Sequence, residues 1–299
     1  MNFLSKAFKG NNIGYLFTLP ALLYMLVFVG YPTVDNIILS LQDVNVMTVA
    51  SKVKEFVGLS NYFELFQDPV LKIAIRNTFY FTIACIFFQF IIGFALALFF
   101  NLKFSLAKPL RGFLMIAWMI PLTVTSVLFK FMFSVSGGII NEILMYFHII
   151  SKPVEWLLQP ASALWSTIIC NIWIGIPFNM ILITTGLSTI PAEIYESSSI
   201  DGANPLQKFF YITLPLLKPS LEAVLILGFI YTFKVFDVIY VMTQGGPVNA
   251  TELLSTFAYR VSFAEFSFSK GAATANILFV ILFAIGLFYL KLIKDDEVM

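Results

Sequence analysis

Six stretches of this 299-residue chain are each long and apolar enough to cross a membrane: roughly 13–34, 77–100, 112–134, 161–187, 219–242 and 271–290. A helix rises ~1.5 Å per residue, so ~20 mostly apolar residues cover ~30 Å of hydrocarbon. Only 12% of residues are charged and 59% are hydrophobic, against about 25% charged in a soluble domain. A soluble chain of this length would still expose about a quarter of its unfolded surface, and too few polar residues exist to cover it. The low charge and 34 Phe exclude intrinsic disorder, and 18 Lys+Arg against 17 Asp+Glu argue against a nucleic-acid partner. The expected fold is therefore all-α: a polytopic membrane protein of six transmembrane helices, read as one domain, 1–299, because no internal repeat stands out.

An even number of spans leaves both ends on one side, and Lys and Arg mark the cytoplasmic face. The side with the termini carries Lys6, Lys9, Lys103, Lys108, Arg111, Lys208, Lys218, Lys291 and Lys294; the longer loops opposite carry Lys52, Lys54, Lys72, Arg76, Lys152, Arg260 and Lys270. This favours cytoplasmic termini. The first span lacks a small-residue cleavage site before Pro20 and reads as retained rather than as a removed signal peptide. Cys85 and Cys170 each fall in an apolar run and suit buried core thiols. The outward segments 58–68 and 139–158 interleave aromatic with polar residues, the pattern of short helices at a membrane surface.

One inward loop, 188–218, is much longer than the others. Pro191 suits a first helical turn, and Glu193 and Glu196 place acid toward the positive helix end. Asp201-Gly202 breaks that helix, and Asn204-Pro205 starts a second with Leu206, Phe209, Phe210 and Leu214 on its apolar side. On this pattern alone, a loop lying on lipid headgroups remains open beside a partner-binding loop.

Glu196-Ser197-Ser198, then Asp201-Gly202-Ala203, then Ile212-x-Leu214-Pro215 resembles the Glu-Ala-Ala coupling loop of the permease subunits of bacterial binding-protein-dependent ABC importers. Ser197-Ser198 departs from the usual two alanines, which keeps the residues small and lowers helix propensity by roughly a few tenths of a kcal/mol per position. Met242-Thr243-Gln244-Gly245-Gly246-Pro247 with Thr251, the run Gly271 to Ala273, Gly58-Leu59-Ser60-Asn61-Tyr62 with Asn77-Thr78, and Gly138 to Asn141 with Pro153 to Leu157 are similar to the carbohydrate branch of that family. The resemblance implies a type I importer permease fold in a bacterial cytoplasmic membrane. It also implies that the loop docks on a cytoplasmic ATPase that uses ATP and magnesium. Two ATPase copies, a second homologous permease, an extracellular sugar-binding protein and surrounding lipid would complete the assembly. The chain has no G-x-x-x-x-G-K-[ST] motif, so phosphates are not cradled here in that way; it carries no cofactor or metal of its own and reads as a translocation subunit, not an enzyme.

Asn171, Gly175 and Phe178 fall on one face of the fourth span. By the resemblance this face, with Gly228, Tyr231 and Thr232 on the fifth, lines the sugar pathway, although small and polar residues also serve helix packing in membranes. Lys234 and Asp237 are intramembrane charges whose i, i+3 spacing allows mutual neutralisation, with a role in the pathway as the other reading. Glu222 reaches the cytoplasmic interface, Lys130 snorkels outward, and His148 sits on an outward loop. A secondary transporter would need further mid-span acids or broken helices. A permease for a phosphorylated polyol such as glycerol phosphate would want more cations in the spans than these two lysines supply.

Overall fold

The computed structural model describes residues 12–102 and 104–297, so Lys6, Lys9 and Lys103 of the charge argument lie outside the described residues. The described chain is helical apart from loops and one two-stranded hairpin. Helix α1 (Asn12–Met25) passes through a π-helical turn, Leu26–Gly30, into α2 (Tyr31–Ser40). Strands β1 (Gln42–Asp43) and β2 (Glu55–Phe56) pair antiparallel, with Gln42 opposite Phe56. The remaining helices are α3 (Ser60–Gln67), α4 (Pro69–Asn101), α5 (Ala107–Met119), α6 (Leu122–Met132), α7 (Ile139–Tyr146), α8 (Pro160–Ser188), α9 (Ala192–Ile200), α10 (Pro205–Lys208), α11 (Leu214–Phe233), α12 (Asp237–Met242), α13 (Leu254–Tyr259) and α14 (Phe268–Glu297).

Among the described residues five helices are long and apolar enough to span: Phe17–Ser40, Pro69–Asn101, Pro160–Ser188, Pro205–Phe233 and Phe268–Lys291. The third expected span, 112–134, is not straight. It comprises α5 and α6, which meet at 94°, because Ile120 and Pro121 take extended backbone and Pro121 cannot continue a helix. Counting that bent pair as one gives six. The expected fifth span, 219–242, is shifted: its helix starts at Pro205, running through a π-helical turn, Phe209–Thr213, and stops at Phe233. The second half of the 188–218 loop is thus continuous with the span that follows it.

Contacts group the chain into two compact units. The first comprises the residues up to Gln67 together with Ala258–Ile277. Here Asn61 Nδ2 donates to the carbonyls of Ser40 and Gln42 at 2.8 and 2.9 Å. Asn276 donates to Ser40 Oγ and Tyr62 Oη, and Asn36 donates to Asn276 Oδ1 at 2.7 Å. Val44 and Ser269 exchange backbone and hydroxyl bonds, fixing the hairpin onto the start of α14. Lys270 Nζ lies 2.8 Å from Glu64 Oε2, and that hydrogen bond and charge hold the Glu64 carboxyl below its usual range. A lowered folded pKa means the pairing contributes above the unfolded carboxylate pKa and is lost only as pH falls through the lowered value.

The second unit comprises Asp68–Phe257 and the chain from Leu278. α4 packs along α8, and α11 crosses both. Gly93 permits the close approach: a Cβ there would sit 2.7 Å from Asn179 Cβ and 3.1 Å from the Met180 nitrogen. Gly186 does the same for α8 against Ser220 and Leu217 of α11. Small residues at crossings let backbones approach where lipid provides no hydrophobic drive. Apolar clusters pack this unit, one around Phe81, Ile168 and Ile239 and another around Met180, Ile183 and Leu217. Cys85 and Cys170 are both free and buried.

Candidate functional site

The two helix breaks frame a cavity of about 390 Å3 within the second unit. The α5–α6 bend supplies Trp118 and Leu122, the end of α11 supplies Gly228, Tyr231 and Thr232, and α8 supplies Asn171, Gly175 and Phe178. All six residues expected to line a pathway on the fourth and fifth spans are therefore brought together. Phe178 is central, with its ring stacked on Trp118 at 5.9 Å between centroids and 21° between planes. It meets the Tyr231 ring edge-on, also at 5.9 Å. Such a set of rings offers apolar faces, while the Thr232 hydroxyl and the Tyr231 phenol offer hydrogen bonds.

Gln89, on α4, was not singled out by the sequence reading, since it is one polar residue in a long apolar helix and only packing reveals its face. It is buried, and its Nε2 donates to the Asn171 carbonyl at 2.8 Å. Gly175 is where this amide fits: a Cβ there would fall 2.3 Å from both Gln89 Cδ and Nε2. Gly175 thus serves helix contact and cavity lining at once. We expect Gly175→Ala to break the Gln89–Asn171 bond and cost about 1–3 kcal/mol, the usual penalty for stranding a buried polar group. Thermal unfolding of the purified protein checks this, and an unchanged melting temperature would count against it. Asn179 also lines the cavity, but its amide is turned back onto the Gly175 carbonyl at 2.8 Å.

The i, i+3 neutralisation expected of Lys234 and Asp237 does not form. That spacing assumes a continuous helix, whereas α11 ends at Phe233 and α12 begins at Asp237, with Phe236 at φ −126°, ψ −53°. Lys234 Nζ instead lies 5.4 Å from the centroid of the Tyr231 ring, inside cation–π range. Both charged residues line the cavity, one positive and one negative. The break frees the Val235 carbonyl, which accepts from the Ser255 hydroxyl. Lys130 does not extend freely outward: its Nζ donates to the Val241 carbonyl at 3.1 Å, tying α6 to α12. Glu222 pairs with Lys218 one turn earlier at 3.7 Å.

At the other end of the long α11 helix, residues 188–218 form the expected helix, turn and helix. Asp201 closes α9, Gly202 takes φ +81°, and the Gly202 and Ala203 amides donate back to Ser199 and Ser198. Nothing lies within 4 Å of a Cβ placed on Gly202, so its requirement is backbone conformation rather than space. Asn204 and Gln207 form a reciprocal capping box at the start of α10, a signature readable as Asn-Pro-x-Gln but unremarked by the sequence reading. Tyr195 Oη and Thr213 Oγ1 are 2.8 Å apart, bracing α9 against the following helix. Ser197, Ser198 and Ser199 donate their hydroxyls back to the carbonyls of Ile194 and Tyr195, so these polar replacements are satisfied within α9. Glu196 and Asp201 are exposed, as are Ile200, Leu206 and Tyr211. A shallow groove is lined by Asp201, Gly202, Ala203, Gln207, Tyr211 and Ile212; Leu214 and Pro215 border a separate depression on the same helix.

Residues 89–295 match the family model described as binding-protein-dependent transport system inner membrane component. The chain belongs to that family. It is 34% identical to the trehalose/maltose transport system permease protein MalF of Thermococcus litoralis over 97% of each chain. It is 32% identical to the lactose transport system permease protein LacF of Rhizobium radiobacter, over 91% of this chain and 90% of that one. The solved structure of a bacterial ABC transporter importing the acidic polysaccharide alginate superposes with a TM-score of 0.82, covering 98% of each chain at 24% identity. The fold is that of a type I importer permease, and the chain is a transport subunit of the inner membrane.

Within this permease the Asn77-Thr78 motif meets the segment that follows the 242–247 motif, and the Gly138–Asn141 motif meets Pro153–Leu157. Asn77 Nδ2 donates to the carbonyls of Ala250 and Glu252 at 3.0 and 3.2 Å, and Thr78 Oγ1 accepts from the Leu254 amide at 2.9 Å. Thr251 bonds both Thr243 and the Gly246 carbonyl, closing the 243–251 turn. Asn141 Oδ1 accepts from the Val154 amide and from Trp156 Nε1, while its Nδ2 donates to the Ser134 and Val154 carbonyls. Asn77→Ala is expected to lower stability by about 1–3 kcal/mol by leaving these buried carbonyls unmet, which a shift in the thermal unfolding midpoint reads directly.

Proposed function

We propose that this permease carries a neutral mono- or oligosaccharide inward across the cytoplasmic membrane, with the cavity at Phe178 as its sugar site. The observation that carries this reading is the Trp118–Phe178–Tyr231 ring set beside Thr232 and Asn171. Aromatic faces suit the C–H faces of a sugar, and hydroxyls and amides suit its hydroxyl groups. The volume falls in the roughly 300–1,000 Å3 range of small-ligand sites. The curated relatives include permeases named for trehalose/maltose, lactose and diacetylchitobiose.

A phosphorylated polyol fits less well. Among the described residues Lys234 is the cavity's one lysine; it sits over Tyr231 and shares the space with Asp237, which leaves no net positive charge there to hold a dianion. The helix 192–200, with Glu196 and Asp201 and the groove at Gly202, is proposed to dock on a cytoplasmic ATPase whose ATP and magnesium supply the energy. On this reading both termini lie in the cytoplasm and the chain acts as one permease domain. It also implies a second homologous permease, two ATPase copies and an extracellular sugar-binding protein. The test is uptake by the reconstituted complex across neutral mono- and disaccharides and glycerol phosphate. Uptake of glycerol phosphate alone would overturn the neutral-sugar reading.

A further inference from the structure

Helix α3 carries a second apolar face that its own unit does not use. Its inner side is spent: Asn61 caps the end of α2 at Ser40, Leu65 is buried, and Tyr62 joins the Ser40–Asn276 network. Leu59, Phe63 and Phe66, spaced i, i+4 and i+7 along the same side, are 56%, 67% and 53% exposed, and Phe56 of β2 is 71% exposed. In water such a stripe is unfavourable.

Two contacts within the unit tie this helix to span ends. Asn61 holds it to Ser40, the last residue of the first span, and Glu64 holds it to Lys270, the last charged residue before the apolar run of α14. Ser40 ends the first candidate span, Phe17–Ser40, and Lys270 stands in the first turn of the last, Phe268–Lys291. The exposed apolar surface of α2, at Val34, Ile37 and Ile38, leads toward the same end. Lys52 and Lys54 lie on the hairpin beside Phe56.

We propose that α3 is an interfacial anchor, its Leu59–Phe63–Phe66 stripe and Phe56 seated in the headgroup and acyl boundary of the membrane, with Lys52 and Lys54 toward lipid phosphates. Helices with this pattern lie in the interface plane, about 5–10 Å into the boundary, and aromatic rings favour that level. The occupant is phospholipid rather than a protein, because the helix is tied to the ends of two candidate spans and its exposed apolar side chains accompany those of Val34, Ile37 and Ile38 on the first of them.

The full complex carrying Phe63→Trp, reconstituted in phosphatidylcholine and phosphatidylglycerol bilayers, tests this by the emission it adds over the parent. The expected result is loss of that emission when the lipid is brominated near the headgroup end of its acyl chains. Weaker loss with bromines deep in the chain and little quenching by aqueous acrylamide complete the expectation. Phe66→Trp, on the same stripe, should behave alike, and retained uptake shows that both variants fold. Quenching by acrylamide without any bromine effect overturns the proposal by placing the stripe in water. Emission that neither quencher reaches overturns it by placing a protein over the stripe.

Discussion

Glu196→Lys is expected to leave the complex in the membrane but to abolish substrate-stimulated ATP hydrolysis. Glu196 is exposed on α9 and, among the described residues, has no ion-pair partner, so reversing its charge disturbs nothing in this chain's own packing. α9 stays in place through Tyr195–Thr213 and the Asn204–Gln207 cap. Its effect is therefore read through the partner alone. Breaking one side of a buried interfacial charge pair costs about 2–5 kcal/mol, or tenfold for each 1.4 kcal/mol. The measurement is ATPase activity of the purified complex with and without substrate-loaded binding protein. Normal stimulation would remove Glu196 from the coupling contact.

Phe178→Ala should lower uptake at limiting substrate by roughly tenfold while leaving ATPase association intact. The ring contacts Trp118 face-on and Tyr231 edge-on, and each such aromatic contact is worth about 0.5–1.5 kcal/mol beyond area burial. Its loss enlarges the cavity and lets both neighbouring rings relax out of position. Phe178 lines the cavity within α8 whereas Glu196 is exposed on α9, so the two variants should fail differently: one binds substrate without hydrolysis, the other hydrolyses with little transport. Uptake unchanged across a range of substrate concentrations would count against a cavity role, whatever the ATPase reads.

The sequence made the spans visible because hydrocarbon admits little but apolar residues, and the helical period placed Asn171, Gly175 and Phe178 on one face. The loop at 188–218 was legible for the opposite reason: punctuation by Pro191, Asp201-Gly202 and Asn204-Pro205 has few structural solutions. What hydropathy could not show was where an apolar segment bends. Ile120-Pro121 and Lys234–Phe236 lie inside runs that read as single spans, yet both leave helical geometry, and the supposed pairing of Lys234 with Asp237 fails for that reason. Gln89 was hidden because its role depends on which side of α4 meets α8. The loop motifs were recognised separately, but their mutual clasp, Asn77 on Ala250 and Glu252 or Asn141 on Val154 and Trp156, exists only in three dimensions.

The helix from Pro205 to Phe233 has 29 residues, a rod of about 44 Å at 1.5 Å per residue. One end follows directly from the Gly202 turn and the other presents Tyr231 and Thr232 to the cavity. A rod of that length works as a lever: tilting it by about 5° about one end displaces the other by about 4 Å, which is larger than a hydrogen bond is long. That rod is packed along its length, with Leu217 and Ser220 against Gly186 and Val224 in the same apolar cluster, so a tilt that carried a movement of α9 to the aromatic rings would have to take this packing with it, the π-helical turn at Phe209–Thr213 lying between α9 and the packed stretch.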